Sequence, residues 1–138
     1  MVKLLQRGAA IATAAPYIWL GYEAAKSPGA RKELVAQAGL PAADLLVRIN
    51  GAAMVVGGLA LATGFRQRRA ALGLIASMVP TTLVGHSFWQ HDDPQMRVTN
   101  RIQFLKNLGL IGGLVALASL APNQSSPSTT RRRLRRRG

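Results

Sequence analysis

The sequence predicts an all-α protein, an antiparallel four-helix transmembrane bundle that is followed by a disordered basic tail. Four apolar blocks predict the helices, and they occupy residues 4–25, 45–65, 70–89 and 102–121. Each block is close to the length of about 20 residues at which a helix spans the roughly 30 Å of hydrocarbon in a bilayer. The blocks should be helical because the bilayer interior offers no water to unpaired backbone groups.

The residue usage is typical of membrane helices that pack closely. Alanine, leucine and glycine dominate, while the chain has only three Phe, two Tyr and two Trp. Small residues let helix backbones approach each other in lipid. The chain has no cysteine, which excludes disulfides, iron–sulfur ligation and thiol redox chemistry by its own side chains. We therefore expect one membrane domain, over residues 1–121.

The first block starts near two basic residues and is followed by Ser27-Pro28-Gly29. A cleaved signal peptide is the alternative to a helix here, since such peptides also begin with positive charge. Tyr22 and Glu23 occupy positions where a cleavage site requires small residues, so we expect an uncleaved helix. In the long loop that follows, residues 31–37 are expected to form a short surface helix.

Short polar segments separate the remaining blocks. Residues 66–69 make a tight turn, so the second and third blocks should form an antiparallel hairpin. His91-Asp92-Asp93 follows the third block, but three adjacent loop residues have poor geometry for a metal, and we expect no metal site. Pro122 ends the fourth block and opens a Ser/Thr-rich tail, residues 122–138, that is predicted to be disordered.

The distribution of lysine and arginine predicts the orientation. With the amino terminus in the cytoplasm, eleven basic residues lie on the inner side and seven on the outer side, and all five acidic residues lie outside. Cytoplasmic segments carry an excess of Lys and Arg, so we expect a multi-pass protein of the cell membrane with both termini in the cytoplasm. Trp19, Tyr22 and Trp89 then lie near the outer interface, where aromatic rings are enriched.

The tail contributes six positive charges to the net charge of +13. Basic clusters just beyond a membrane helix are attracted to anionic lipid headgroups by about 1 kcal/mol per residue. We therefore expect the tail to bind lipid headgroups rather than nucleic acid, with contact to a partner protein or a nucleic acid as the alternative. The arginines concerned are Arg131, Arg132, Arg133, Arg135, Arg136 and Arg137.

Polar residues from all four blocks fall at one depth, near the outer ends of the predicted helices. They are Glu23, Lys26, Arg48, Asn50, His86, Gln103, Lys106 and Asn107. Charge within hydrocarbon costs about 2.5–3.5 kcal/mol per group, so such groups normally pair inside a bundle. We hypothesise an outward-facing polar pocket in which Glu23 is the charge partner of Arg48 or Lys106. Lys26 lies three residues from Glu23 and can meet it on one helix face, and His86 can titrate near neutral pH.

A structural interpretation of the same residues competes with the pocket. Lysine and arginine near helix ends can extend to the interface. The amides of Asn50, Gln103 and Asn107 would then link helices by hydrogen bonds that contribute about 0.6–2 kcal/mol each. His86 would be a structural histidine rather than a ligand.

Glycines mark surfaces where helices should pack. Gly109 and Gly113 form a GxxxG pattern, and Gly57 and Gly58 lie on one side of the second predicted helix. Such residues allow close helix packing. The packing is expected either within the bundle or in a homodimer.

Several motifs together resemble the DoxX family of small four-helix membrane proteins. Residues 21–26 (GYEAAK) are similar to the family's ending of the first helix, and residues 57–72 are similar to its second hairpin. His86 fits the end of the third helix, and residues 104–114 resemble the fourth helix of actinobacterial members. One departure is residues 52–56, where many members carry a Glu before the Gly-Gly pair and this chain carries none.

The resemblance implies a role near redox chemistry, since relatives are linked to quinone-coupled sulfur oxidation and to membrane complexes that handle oxidative stress. We expect an accessory or anchoring subunit for a membrane or peripheral oxidoreductase. Whether the chain is an enzyme stays open, but its missing cofactor ligands favour one without catalytic activity of its own. One alternative is a quinone- or lipid-binding oxidoreductase subunit that uses the polar pocket. Another is a small proton-coupled transporter, with Glu23 as the coupling acid.

Overall fold

The computed structural model describes residues 1–121, and every regular element within them is a helix. The all-α class is confirmed, and so is the short helix in the first loop. The predicted tail and its six arginines lie outside the described residues. The elements are α1 (Val2–Lys26), α2 (Ala30–Gln37), α3 (Ala43–Thr63), α4 (Gln67–Gly85), a 3₁₀ turn (Phe88–Gln90) and α5 (Pro94–Leu120).

Three segments of the described chain are long and apolar enough to cross a membrane: Ala43–Thr63, Gln67–Gln90 and Pro94–Leu120. The 25-residue α1 is long enough, but it is not among these segments. The physical reason is its composition, since it is rich in alanine and carries Pro16, charges near both ends and several aromatic rings with polar atoms. The fourth membrane crossing therefore stays a prediction.

The last helix begins at Pro94, well before the predicted block at residue 102. Asp93 caps it, because the Asp93 carboxylate accepts a hydrogen bond of 2.9 Å from the backbone N–H of Met96. Pro94 then occupies the first turn, where a missing N–H costs nothing and the fixed φ favours a helix. Hydropathy misses this start because the first two turns of α5 are polar.

Glycines bring α1 and α3 into direct backbone contact. A Cβ added at Gly51 would lie 2.5 Å from the carbonyl oxygen of Gly21 and 2.6 Å from the backbone nitrogen of Ala25. At Gly58 it would lie 2.7 Å from Ile18 Cγ1 and 3.3 Å from the carbonyl oxygen of Ala14. Only glycine leaves room for this approach, and the pairs of contacting residues show that the two helices run antiparallel.

A common apolar core joins α1, α3, α4 and α5. Gly57 of α3 faces Leu74 of α4, and the Tyr17 hydroxyl of α1 donates to Met78 Sδ of α4 at 2.8 Å. Tyr17 is 2% exposed, so this bond satisfies a polar group inside the core. The buried residues of the core are Ala10, Ala14, Tyr17, Leu61, Ala70, Ala71, Leu74, Met78, Leu114, Leu117 and Ala118.

The antiparallel arrangement gives the bundle two chemically different ends. We call the first the basic end; it contains the start of α1, the α3–α4 turn and the end of α5, with Lys3, Arg7, Arg66, Arg68 and Arg69. We call the second the polar end; it contains the end of α1, the start of α3, the end of α4 and the start of α5. The apolar core lies mainly toward the basic end.

The glycines of α5 do not pack against any other helix within residues 1–121. A Cβ added at Gly109, Gly112 or Gly113 would meet nothing within 4 Å. The prediction that the GxxxG pattern packs inside the bundle is therefore wrong, because the rotation of α5 places these glycines away from its neighbours. The alternative of a homodimer stays a prediction. Gly57 and Gly58, by contrast, do pack against α4 and α1, as expected.

We predict that Gly51→Ala lowers the free energy of unfolding by about 1–3 kcal/mol, the usual cost of overpacking a tight contact. The added methyl group would force α1 and α3 apart. Gly73→Ala is the matched control, because its site is open and alanine favours a helix over glycine by about 1 kcal/mol. Unfolding of both variants in mixed micelles, followed by circular dichroism, measures the difference. Equal stability of the two variants would contradict the close contact.

Candidate functional site

Three hydrogen bonds connect different parts of the bundle at the polar end. Ser77 Oγ on α4 donates to Asn50 Oδ1 on α3 at 2.7 Å, and Asn107 Nδ2 on α5 donates to Thr82 Oγ1 on α4 at 3.0 Å. His86, at the end of α4, lies with Nδ1 3.4 Å from Asn100 Oδ1 on α5. That contact is a hydrogen bond in the tautomer protonated at Nδ1. The three bonds lie at neighbouring depths along α4.

The asparagines fill structural positions in this network. Asn50 is half-buried, and its Nδ2 also donates to Met54 Sδ at 3.6 Å within α3. Thr82 is 4% exposed, so the bond from Asn107 satisfies a hydroxyl with almost no access to solvent. In lipid such a bond contributes about 0.6–2 kcal/mol to helix association. For Asn50 and Asn107 the geometry therefore favours the structural interpretation.

Arg48 binds the end of α1 rather than a buried acid. Its Nη1 donates to the carbonyl oxygens of Ala25 at 2.8 Å and Lys26 at 3.1 Å. Its Nε donates to Asp44 Oδ2, one turn earlier on α3, at 2.7 Å. The last carbonyls of a helix have no partner within the helix and carry partial negative charge, so the guanidinium both satisfies and neutralises them.

The predicted ion pairs of Glu23 are not formed. Its carboxylate is half-buried, and within residues 1–121 no hydrogen bond or ion pair reaches it. Arg48 is taken by Asp44, whose spacing of four residues on one helix favours that pair. Lys26 places its Nζ 5.7 Å from the centre of the Tyr22 ring, and Lys106 Nζ donates to Gln103 Oε1 at 3.0 Å. The pairing hypothesis was wrong because sequence gives the depth of these residues but not which side of each helix they occupy.

An aromatic cluster at the polar end was not predicted. Phe88, Trp89 and Phe104 contact one another edge to face, with ring centres 5.1, 5.6 and 5.9 Å apart. The 3₁₀ turn supplies two of the rings and α5 supplies the third. Trp89 is 51% exposed, and its position at a membrane interface stays a prediction. Phe88 and Trp89 end the third apolar block, and Phe104 lies near the start of the fourth. This shared depth could have indicated the cluster.

The polar end therefore separates into two groups of residues. Asn50, His86 and Asn107 belong to the bonds that connect α3, α4 and α5, and Arg48 joins α3 to α1. The side chains of Glu23, Lys26 and Lys106 do not join this network, although the backbone oxygen of Lys26 accepts from Arg48. Outside this network, the backbone oxygen of His91 accepts a hydrogen bond of 3.0 Å from Arg97 Nε. The arrangement holds helices together, and within residues 1–121 it leaves the half-buried carboxylate of Glu23 without a hydrogen bond or ion pair.

Comparison with known proteins gives one positive finding. The family model described as DoxX matches residues 6–87, which is more than half of the chain. The matched residues run from the start of α1 to just beyond the end of α4. No curated protein and no solved structure matches the chain.

We predict that Asn50 and Ser77 are energetically coupled. A double-mutant cycle with Asn50→Ala and Ser77→Ala should give a coupling energy of about 0.6–2 kcal/mol, the range for hydrogen bonds between membrane helices. Unfolding in mixed micelles measures it. The control cycle pairs Glu23→Gln with Ser77→Ala and should give no coupling, since nothing in the described chain binds the Glu23 carboxylate. Equal coupling in both cycles would show that the Asn50–Ser77 bond has no stabilising role.

Proposed function

The chain belongs to the DoxX family, and on that premise we propose that it is an accessory or anchoring subunit of a redox or oxidative-stress complex. It is a membrane protein with apolar helices. In the proposed assembly the chain holds an oxidoreductase at the membrane, and the oxidoreductase supplies the cofactor chemistry.

The observation that carries this proposal is that polar side chains at the polar end bond one helix to another. Asn50 and Asn107 serve as links between helices, and Arg48 binds the last carbonyls of α1. Side chains fixed in this way stiffen a bundle, which is what an anchoring subunit requires. The exposed ring of Trp89, packed against Phe88 and Phe104, adds a surface on which a partner can be held.

The proposed topology has four crossings of the cell membrane, with both chain ends in the cytoplasm. In it α1 is the fourth crossing, because its 25 residues are long enough and it packs along α3 through backbone contacts. Counted together with the six tail arginines, the basic end has eleven Lys and Arg and the polar end has seven, and this excess supports placing the basic end on the cytoplasmic side. The six tail arginines then lie near the anionic inner leaflet.

A small proton-coupled transporter is a second candidate, and one observation favours it. Glu23 is a half-buried carboxylate to which the described chain offers no hydrogen bond or ion pair, and acids within membrane segments often mark proton pathways in transporters. Loss of proton-coupled flux in a Glu23→Gln variant, with flux retained in Glu23→Asp, would favour this candidate over the anchor. A quinone found in the purified chain would instead favour the quinone-binding subunit.

We predict that deleting the chain moves an oxidoreductase activity from the membrane fraction to the soluble fraction. An anchored enzyme loses its attachment when the anchor is absent, and restoring the natural chain should return the activity to the membrane. Activity measurements on both fractions and mass spectrometry of proteins that co-purify in mild detergent test this together. Gly51→Ala should loosen α1 from α3, so we expect this variant to release only part of the oxidoreductase activity to the soluble fraction.

If every membrane-bound oxidoreductase activity keeps its location after deletion, the anchoring role is excluded. Oxidoreductase activity of the purified chain alone would also contradict it.

A further inference from the structure

The basic end collects positive charge without any acidic side chain. Lys3, Arg7, Arg66 and Arg69 are all exposed there, together with Arg68. All five acids of the chain fall at the polar end, in or beside the ends of its helices and in α2. The ion pairs Arg48–Asp44 and Lys32–Glu33 lie at that opposite end. Anionic groups that neutralise the basic end must therefore come from outside residues 1–121.

The antiparallel register of α1 and α3 places two of these cations beyond the same end of the core. Gly21 lies against Gly51, and about two turns further along Ala14 lies against Gly58. Continued in the same antiparallel sense, the register places Ala10 level with Leu61, and both belong to the apolar core. Arg7 lies about one turn before Ala10 on α1, and Phe65 and Arg66 follow the end of α3 at Thr63, so all three lie beyond the apolar core at the basic end.

The α3–α4 turn combines an apolar ring with a guanidinium. Phe65 is 66% exposed, and the Arg66 guanidinium carbon lies 5.6 Å from the centre of its ring. The turn is tight because Gly64 and Arg66 both adopt left-handed backbone conformations, with φ of 77° and 45°. Phe65 follows the end of the apolar α3, so in the proposed topology the adjacent Arg66 lies near the membrane surface.

We propose that Arg7, Phe65 and Arg66 form a binding site for the headgroup of an anionic phospholipid. A guanidinium presents planar donors that match a phosphate, and stacking on Phe65 leaves the outer donors of Arg66 available. Arg7 adds a second charge from another helix. The proposed site does not include the tail arginines. It rests on the proposed topology, which places this end at the anionic cytoplasmic leaflet, and it does not depend on a redox partner.

The test compares two double variants of the chain. One variant removes two exposed cations at the basic end of the bundle, and the other removes two exposed cations at the polar end. Arg7→Gln with Arg66→Gln removes the proposed site, and Arg31→Gln with Arg101→Gln is the matched control at the polar end. The probes are dioleoylphosphatidylglycerol, which is anionic, and dioleoylphosphatidylcholine, which has no net charge. Native mass spectrometry of the protein in detergent gives the affinities, and circular dichroism shows that both variants remain folded.

The same comparison is made in a full-length chain whose six tail arginines are replaced by glutamine. In that chain we expect the Arg7/Arg66 variant to bind the anionic lipid about 30-fold more weakly, as expected for two basic residues near an anionic surface. The control variant should bind it as tightly as the parent chain. Because the tail arginines are replaced in the parent chain and in both double variants, the difference in affinity reports on Arg7 and Arg66 alone.

Three results would overturn the proposal. Equal losses in the two double variants would mean that only total charge matters. Loss of the preference for anionic lipid once the tail is neutral would assign headgroup binding to the tail, as proposed above, and not to the turn. Displacement of the anionic lipid by an excess of inorganic phosphate would show that the site recognises free phosphate rather than a lipid.

Discussion

The backbone contact between α1 and α3 is the constraint on which the rest of the structure depends. Gly21 and Gly51 touch so closely that a methyl group on either would meet a backbone atom of the other helix. This contact fixes the register of the two helices and so decides which residues share a level. It brings the last carbonyls of α1 within reach of Arg48, whose guanidinium satisfies them. It also gives α1, which is not among the segments apolar enough to cross a membrane, a partner along its length.

The division of the bundle into an apolar half and a polar half follows from that register. Toward the basic end, α1, α3, α4 and α5 share one core of alanine, leucine and methionine around Tyr17. Toward the polar end, hydrogen bonds such as Asn50–Ser77 and Thr82–Asn107 replace apolar contacts. In lipid, where helices gain little from burying apolar surface, such bonds and close small-residue contacts supply the specificity. A bundle fixed in this way suits a scaffold that holds a partner.

Much of the fold could be predicted from the sequence, because the length and spacing of apolar blocks set the depth of each residue in a bilayer. The shared depth of Asn50, His86 and Asn107 was predicted in this way, and the structure places them in one bonded region. The rotation of each helix about its axis could not be predicted. Rotation decides that Gly51 is packed while Gly109 is open, and that Glu23 and Arg48 do not pair. The start of α5 was missed because its signal is the Asp93 cap and not hydropathy.

The most direct measurement asks whether α1 crosses the membrane. The chain has no cysteine, so single cysteines introduced at Val2 and at Ser27 report on the two ends of α1 without background. A membrane-impermeant maleimide is added to intact cells and, separately, to permeabilised cells. If α1 crosses the membrane with its start in the cytoplasm, Ser27→Cys is labelled in intact cells and Val2→Cys is labelled only after permeabilisation. Equal labelling of both positions in intact cells would place the two ends of α1 on one side and contradict the four-crossing bundle.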